Sequence, residues 1–369
     1  MGICCLILFH LAACVSVAVL PPDEALATRQ SAQNVSTPAS SLTPALTSRP
    51  TATITSTPTD LPTSTATPVP LEVFFPRLNK GVEPVAYLQD TCQYLAARWE
   101  AQKAKPGTIV VPIMYHGVRK EGGAISDNIT VTEKYFKETM QHAADLGFQT
   151  ITIEQLAAFL QHNAYIPQRS LLLIIDDRRL GTVRNHFLPI LQKNNWTMVM
   201  AYITGVADQK EWREIKSVLE TGRVEIEAHG YLHNGSTYFT ENTPAEIIHQ
   251  EIYEPIRVFE ENLGSRPRAF IWPGGNFTPQ TVREVREAGY IMGFTAYARG
   301  PIMFNWIPQG EAERLVGDPL LLLPRYWSTA AYVNLDQAVE LSRQAEEFAA
   351  KNKEAELEWY GRYCSGDAP

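Results

Sequence analysis

Short apolar segments alternate with amphipathic segments through most of the chain beyond about residue 107, and this alternation limits the possible folds most strongly. The apolar segments read "TIVVPIMYH" (108–116), "SLLLIID" (170–176), "TMVMAYI" (197–203) and "RVEIEAH" (223–229), which are typical of buried strands. Between them, "TEKYFKETMQHAADLG" (132–147) spaces its apolar residues three and four apart, as an amphipathic helix does. Alternating strands and helices predict parallel strands joined by right-handed crossovers. The number of such units favours an α/β fold closed into a (β/α) barrel over an open sheet.

The size and charge of the chain narrow the classes of protein further. Its 369 residues are 45% hydrophobic, which is enough to bury one large core or two ordinary ones, so a single large domain is possible. The formal net charge of −8 comes with Lys and Arg scattered along the chain rather than clustered. Because the chain has no basic stripe to neutralise phosphates, nucleic acid is not an expected partner.

The first 20 residues, "MGICCLILFHLAACVSVAVL", form an apolar run without Lys or Arg. Such a run is typical of an export segment or a short membrane anchor. The stretch Leu11–Cys14, "LAAC", resembles the lipobox of bacterial lipoproteins, in which a signal peptidase cuts before a cysteine that carries lipid. The resemblance implies a signal segment over residues 1–14, a lipid on Cys14 and a protein anchored to the membrane outside the cytoplasm. An uncleaved anchor and a secreted protein are the alternatives.

A low-complexity segment follows the apolar run. Residues 21–70 consist largely of Ser, Thr, Pro and Ala, as in "STPTDLPTSTATPVP", and lack helical or strand periodicity. Such a composition buries too little apolar surface to offset the entropy of ordering the segment. We predict a disordered linker over residues 15–80, serving as a tether or having no role, and a folded domain over residues 81–369 that ends in a helix.

Cysteine usage agrees with export. Outside the leader the chain has only Cys92 and Cys364, which flank the predicted domain. Two cysteines in these positions suggest one disulfide that joins the ends of the domain. Two unrelated free thiols are the alternative.

Polar residues collect where the predicted strands give way to loops. His116 follows the first strand, Asp176 and Asp177 end the next, His229 ends a later one, and Pro273–Gly275 end another. In an α/β barrel these positions share the carboxyl face, where catalytic groups gather from several strands. The pattern therefore predicts a functional site at that face.

These residues resemble motifs of the polysaccharide deacetylases with a NodB-like domain, also known as carbohydrate esterase family 4. "LLLIIDDRR" is similar to the first motif of that family, which implies a general base at Asp176 and a metal ligand at Asp177. "EAHGYLH" is similar to the second motif, His-x-x-x-His, which implies metal ligands at His229 and His233. The resemblance covers roughly residues 105–330 and implies the distorted, seven-stranded (β/α) barrel of the family.

The third motif points to one type within the family. "RAFIWPGG" looks like the variant found in poly-N-acetylglucosamine deacetylases, where a backbone N–H after the proline helps to hold the oxyanion. That role falls to Gly274. "VPIMYHGV", which contains His116, also resembles the start of those domains. Trp272, Pro273 and Arg178 are the expected substrate contacts beside these motifs.

The chemistry of a deacetylase needs these residue types. Two imidazoles and one carboxylate occupy one face of a divalent metal, zinc or alternatively Co, Ni or Mn, and leave positions open for water and substrate. The metal lowers the pKa of water toward about 7 and polarises the acetyl carbonyl. A neighbouring carboxylate then accepts a proton as water attacks, and a backbone N–H stabilises the oxyanion.

Each of these residues also has a structural interpretation. His229 and His233 have the spacing of a surface pair on a helix, and Asp176 and Asp177 could cap a helix N-terminus. His116 could be a hydrogen-bonded residue that closes the first strand. The aromatic residues that could stack on sugar rings could equally pack in the core: Trp272, Tyr297, Trp306 and Trp327.

Three positions depart from the family pattern. Arg178 stands where a glycine usually follows the aspartates, and Ile271 and Trp272 lie where an arginine usually contacts the base. We expect Arg178 either to lower the pKa of Asp176 or to replace the missing contact. The final motif reads "LLLPRYWS" without its general-acid histidine, so the leaving amine must be protonated from Asp176, His116 or water.

Two classes of function fit this sequence. The first is a metal-dependent deacetylase that removes N-acetyl or O-acetyl groups from an extracellular or cell-wall polysaccharide. The second is a catalytically weakened relative that binds glycan without turning it over. Replacement of Asp177 would separate the two classes, because turnover needs the metal and polymer binding does not.

Overall fold

The apolar segments of the sequence form the strands of one parallel sheet. The computed structural model describes residues 69–364 except Ala124, Ser126 and residues 234–237. The predicted signal segment, Cys14 and the predicted linker up to residue 68 lie outside the described residues. The described part belongs to one compact unit.

The strands are β1 (Glu83–Val85), β2 (Ile109–Tyr115), β3 (Gly117–Arg119), β4 (Thr130–Thr132), β5 (Gln149–Thr150), β6 (Arg169–Ile175), β7 (Met198–Tyr202), β8 (Val224–Ala228), β9 (Ala269–Ile271), β10 (Met292–Phe294), β11 (Ile307–Gln309) and β12 (Tyr326–Trp327). The helices are α1 (Thr91–Trp99), α2 (Glu133–Asp145), α3 (Ile153–His162), α4 (Leu180–Thr182), α5 (Leu188–Asn194), α6 (Gln209–Leu219), α7 (Ala245–Leu263), α8 (Pro279–Glu287), α9 (Glu311–Val316) and α10 (Ala331–Tyr363). A π-helical turn, Val183–Phe187, connects α4 to α5.

The order of strands in the main sheet is β10-β9-β8-β7-β6-β2-β12, and β5 also pairs with β6. The paired strands of this sheet run parallel. Just before β12, Leu323 forms a parallel bridge with Phe294 of β10, which connects the two ends of the sheet. The sheet therefore curls toward closure, and the predicted seven-stranded α/β barrel is confirmed.

The core follows from the composition of the central strands. Every residue of β2 is buried, as expected for a parallel strand covered on both faces. Because side chains alternate along a strand, Val111 and Ile113 pack on one face with residues of α2 and α10. Val110 packs on the other face with residues of α3. This two-sided core holds the strand ends in place.

The last part of the predicted linker packs against the domain. Phe74 and Leu78 contact the core, and Trp306 Nε1 donates a hydrogen bond to the Phe74 carbonyl at 3.3 Å. Trp359 Nε1 donates to the Val69 carbonyl at 2.9 Å. Because these apolar side chains are covered by the domain, the folded part begins before the predicted residue 81.

A disulfide joins the two terminal helices of the domain. Cys92 in α1 is bonded to Cys364, directly after α10, with a Cα–Cα distance of 5.5 Å. The two cysteines are 272 positions apart in the sequence, and the segment between them contains every strand from β2 to β12. Among residues 69–364 as described, none of the helices has the length and hydropathy needed to cross a membrane.

Candidate metal centre and active site

The carboxyl ends of the central strands bring the predicted site residues together. His116 follows β2, Asp176 and Asp177 follow β6, and His229 follows β8. The sheet order sets these strands side by side, with β7 between β6 and β8. A cavity of about 430 Å³ lies elsewhere, between α1, α10 and residues 69–74, and its lining includes none of these four residues.

Asp176 is a buried carboxylate with a buried cationic partner. Arg325 Nη1 lies 2.6 Å from Asp176 Oδ1, and Arg325 Nε donates to the Thr295 carbonyl at 2.8 Å. Burial alone would raise the pKa of Asp176, but Arg325, with smaller contributions from His229 and His116, lowers that pKa to about 2. Asp176 is therefore ionised at neutral pH.

The arginine beside Asp176 differs from the one that the sequence suggested. Arg178 points to α6 instead, where its Nε donates to Glu211 Oε1 at 3.0 Å, and Glu211 also accepts from the Tyr202 hydroxyl. The expectation that Arg178 would contact Asp176 is wrong, because Glu211 holds its guanidinium. Arg325 lies within "LLLPRYWS", the same segment that lacks the histidine. Its position as a charged residue inside an apolar run was the sequence signal that could have indicated a buried partner for Asp176.

His116 lies on the other side of Asp176. Its Nε2 is 3.8 Å from Asp176 Oδ2, and its Nδ1 is buried without a hydrogen-bond partner among the described residues. The ring lies parallel to that of Trp327, with a centroid distance of 6.5 Å and an interplanar angle of 12°. His116 therefore lies beside Asp176, beyond direct hydrogen-bonding distance, where its ring can face a group bound between the two residues.

His229 presents one specific nitrogen to the two aspartates. Its Nδ1 is 2.9 Å from the Ile271 carbonyl, which can only accept, so Nδ1 carries the proton. The unprotonated Nε2 lies 3.9 Å from Asp176 Oδ2 and 3.8 Å from Asp177 Oδ1. Burial lowers the pKa of His229 to about 4, which keeps the ring neutral and able to act as a ligand.

Three potential ligands converge at this point. Asp177, His229 and His233 each offer one donor atom, and these atoms lie within 4.8 Å of one another. Asp177 and His233 have backbone φ angles of 69° and 35°, which are unusual for residues other than glycine. His233 Nδ1 is buried without a partner in the described part of the chain. A set of two imidazoles and one carboxylate, with an unsatisfied ring nitrogen, fits a divalent metal such as zinc.

The alternative interpretations, a surface pair of histidines on a helix and aspartates that cap a helix, do not match the observed fold. His229 has 1% of its surface exposed, and residues 229–233 form a loop rather than a helix. The helix after the aspartates has Arg179 at its N-cap, without a capping hydrogen bond from a side chain. Neither a surface helical pair nor a capping role therefore accounts for the histidines and aspartates.

The predicted oxyanion residue lies in a 3₁₀ turn after β9. This turn covers Pro273–Gly275, and Gly274 is exposed with a φ of 61°. A Cβ at Gly274 would lie 2.7 Å from Tyr238 Cε1, so the ring of Tyr238 covers this backbone closely. The turn is thus open to solvent on one side and bordered by an aromatic ring on the other.

Two of the candidate sugar contacts belong to the core. Trp272 has no exposed surface, and its Nε1 donates to the Leu321 carbonyl at 2.8 Å. The prediction of a substrate contact by Trp272 is therefore wrong, because its ring is enclosed by core residues. Trp306 is 8% exposed and packs against Phe74. Tyr297 and Trp327 are half-buried, and of the four aromatic residues only these two retain surface for a ligand.

Part of this chain is similar in sequence to known proteins. Residues 164–293 match the family described as Polysaccharide deacetylase. Poly-beta-1,6-N-acetyl-D-glucosamine N-deacetylase of Escherichia coli (strain K12) is 22% identical over 236 residues, covering 53% of this chain and 35% of that protein. The chain thus spans about a third of the length of this curated relative.

Two solved structures share the fold. The deacetylase PplD of Streptococcus pyogenes, in complex with acetate, has a TM-score of 0.51 and 19% identity, covering 64% of this chain and 99% of that chain. A de-N-acetylase from Aggregatibacter actinomycetemcomitans has a TM-score of 0.50 and 15% identity, covering 62% of this chain and 99% of that chain.

Proposed function

We propose that this chain, of which residues 164–293 match the polysaccharide deacetylase family, is a metal-dependent enzyme that hydrolyses acetyl groups on an N-acetylated polysaccharide outside the cytoplasm. The observation that carries the proposal is the convergence of Asp177, His229 and His233 beside the buried Asp176. Titratable groups that gather in this way, with pKa values shifted by burial and by a specific charge partner, are characteristic of functional sites.

The ligands and the base have distinct tasks. Asp177, His229 and His233 would hold a divalent metal, with zinc preferred and Co, Ni or Mn as alternatives. When bound, such a metal polarises the acetyl carbonyl and lowers the pKa of water. Asp176 does not belong to the ligand group, and its carboxylate is free to accept a proton from the attacking water molecule.

His116 supplies the proton that the leaving amine needs. Asp176, with a pKa of about 2, is a weak base and passes a proton on readily. His116 Nε2, at 3.8 Å from Asp176 Oδ2, is the nearest imidazole outside the ligand group. Protonated His116 then donates to the amine as the C–N bond breaks, while the Gly274 N–H stabilises the oxyanion.

A polymer of N-acetylglucosamine or a shorter oligosaccharide is the proposed substrate, by N-deacetylation or alternatively O-deacetylation. The curated relative is named for poly-β-1,6-N-acetylglucosamine, and PplD was solved with acetate, the product of deacetylation. Trp327 and Tyr238 have exposed ring surface near the site, which suits stacking on sugar rings. Pro273 and Arg178 remain proposed contacts at its edge.

The proposed location rests on the N-terminal sequence. Export through residues 1–14, a lipid on Cys14 and a Ser/Thr/Pro-rich tether would hold the domain away from a membrane surface. Replacing Cys14 with Ser should release the protein from membranes in cell fractionation. Unchanged membrane retention would contradict the lipid anchor, and secretion of the unmodified protein would favour the alternative.

The deciding experiment combines metal analysis with acetate release. Purified wild-type protein should contain about one divalent metal per chain and release acetate from N-acetylglucosamine oligosaccharides. Asp177→Ala should lose both, whereas Asp336→Ala removes a half-exposed carboxylate that pairs with His142 and should lose neither. Oligosaccharide binding without acetate release by the metal-loaded wild type would favour the glycan-binding alternative.

A further inference from the structure

Glu251 is a fully buried carboxylate that the proposed mechanism does not use. It lies in α7 with no exposed surface. No cationic side chain lies within salt-bridge distance of it in the described part of the chain. A buried carboxylate without a cation is costly unless hydrogen bonds compensate for its lost hydration. The partners of Glu251 therefore indicate its role.

Those partners are three consecutive backbone amides of the loop after β8. The Tyr231 N–H donates to Glu251 Oε2 at 2.7 Å, and the Leu232 N–H donates to Oε1 at 2.9 Å. The His233 N–H donates to both oxygens at 3.3 Å. The loop thus wraps its amides around a single anion, in the way that backbone nests bind anions.

The shape of this loop depends on Glu251. Gly230, at the start of the loop, has a φ of 75°, and a Cβ there would lie 2.4 Å from Glu251 Oε2. A residue with a side chain at position 230 would therefore collide with Glu251, and only glycine allows the loop to approach the carboxylate this closely. At the end of the loop, His233 has the positive φ of 35° described above, which is unfavourable without outside support.

The three potential metal ligands differ in how they are held. His229 directly follows β8, and its ring is oriented by the Ile271 carbonyl. Asp177 follows β6 closely. His233 lies further from its strand, and its ring nitrogen Nδ1 has no partner in the described residues. Its backbone, held by Glu251, is what orients it toward the other two ligands.

We propose that Glu251 is a positioning residue that determines metal affinity by holding residues 230–233 in the conformation that presents His233. The inference rests on the proposed function, since it assumes that His233 is a ligand. Glu251 itself is not a catalytic residue, because its oxygens are occupied by backbone amides and it does not reach the reacting atoms.

The test compares two buried glutamates. Glu251→Gln preserves size but turns one acceptor oxygen into an NH₂ group that opposes the loop amides. Metal affinity, measured by competition with a chromophoric chelator, should fall about 10–100-fold, as is usual when a partner of a ligand is removed. Acetate release should recover with excess metal. Glu356→Gln, which disturbs the buried pair with Arg98, is the matched control and should leave affinity unchanged.

A second variant and a second measurement distinguish a specific effect on the loop from a general loss of folding. Glu251→Asp keeps a carboxylate on a shorter side chain, and its metal affinity should lie between those of the wild type and Glu251→Gln. If Glu251→Gln does not fold, the metal affinity of Glu251→Asp tests the role of Glu251 instead. In metal-free protein, amide hydrogen exchange at Tyr231 and Leu232 should accelerate in Glu251→Gln but not in Glu356→Gln.

Equal metal affinity of wild type and Glu251→Gln would overturn the role of Glu251 and leave the proposed function intact. An equal loss in Glu356→Gln would also overturn it, since general destabilisation would then explain the effect. A wild type that binds no metal would instead refute the proposed function. In that case unchanged amide exchange in Glu251→Gln would further exclude any role of Glu251 in ordering the loop.

Discussion

Arg325 Nη1 lies 2.6 Å from Asp176 Oδ1, and both side chains are almost completely buried. The pair explains how a carboxylate can stay ionised inside the sheet, because the guanidinium compensates for the hydration that burial removes. It also accounts for one departure from the family pattern. An arginine does contact the proposed base, although it comes from the segment before β12 rather than from the third motif.

Removing the Arg325 guanidinium should raise the pKa of Asp176. In Arg325→Met, burial is no longer offset by the cation, so the acidic limb of the kcat/KM profile should move to higher pH. Stability should also fall by about 3–5 kcal/mol, as is usual when one partner of a buried pair is lost. Arg178→Met, which removes a guanidinium held by Glu211, should leave that limb in place. An identical shift in both variants would contradict the assignment.

Replacing His116 should separate proton donation from metal binding. His116→Asn removes the group next to Asp176 that can donate to the leaving amine. We expect kcat to fall by about two to four orders of magnitude, the usual range for general acid–base groups. The metal content should stay the same. An unchanged kcat in the variant would assign the proton donor to another group.

The three ligands and the base should respond differently to substitution. His229→Ala, His233→Ala and Asp177→Ala should each lose most of the bound metal, because each removes one of three protein ligands. Asp176→Asn should keep the metal and lose acetate release by about two to four orders of magnitude. His249→Ala, at an exposed position of α7, is the control for histidine loss. Equal metal content in wild type and His229→Ala would remove the histidines from the ligand group.

The disulfide should account for both cysteines of the domain. Thiol labelling of unfolded, unreduced protein that lacks the leader should detect neither Cys92 nor Cys364, and labelling after reduction should detect both. The double variant Cys92→Ser/Cys364→Ser should lower the free energy of unfolding by about 2–5 kcal/mol, because the bond encloses a long loop. Chemical denaturation measures this difference. Full labelling without reduction would show that the thiols are free.

The buried Glu227 should make the folded state less stable as pH rises. Burial raises the pKa of this carboxyl to about 8, although it accepts hydrogen bonds from the Arg268 and Ala269 amides. A raised pKa means that the folded state favours the protonated form. This stabilisation is complete below the unfolded-state pKa of about 4.3 and declines as pH rises through about 8. Glu227→Gln should flatten the dependence of the unfolding free energy on pH between about pH 4 and 8, and an unchanged slope there would contradict the raised pKa.

The elements that local sequence determines were predicted correctly. The buried runs that became β2 and β6, and the aspartates that follow β6, are recognisable because apolar strands and the polar residues after them are adjacent in the chain. The barrel itself could be predicted for the same reason, since strand and helix alternate along the sequence.

The features that depend on distant partners were not predicted. Arg325 and Asp176 are 149 residues apart, and no local pattern specifies that their side chains meet. Trp272 lies within the third motif, which predicts a substrate contact, but it packs in the core because α8 and the Pro319–Leu321 turn cover it. Phe74 and Leu78 lie within a linker-like composition, and the surface that receives them comes from other parts of the chain.

The pairing of β12 with β2 also determines when the site can be completed during synthesis. β2 is the first strand of the main sheet to leave the ribosome and β12 is the last, yet Tyr326 pairs with Ile113. Because domains generally fold as units, the site cannot be completed until β12 and Arg325 have been synthesised. A prematurely terminated chain that ends before Arg325 would lack both the edge strand β12 and the counterion of Asp176.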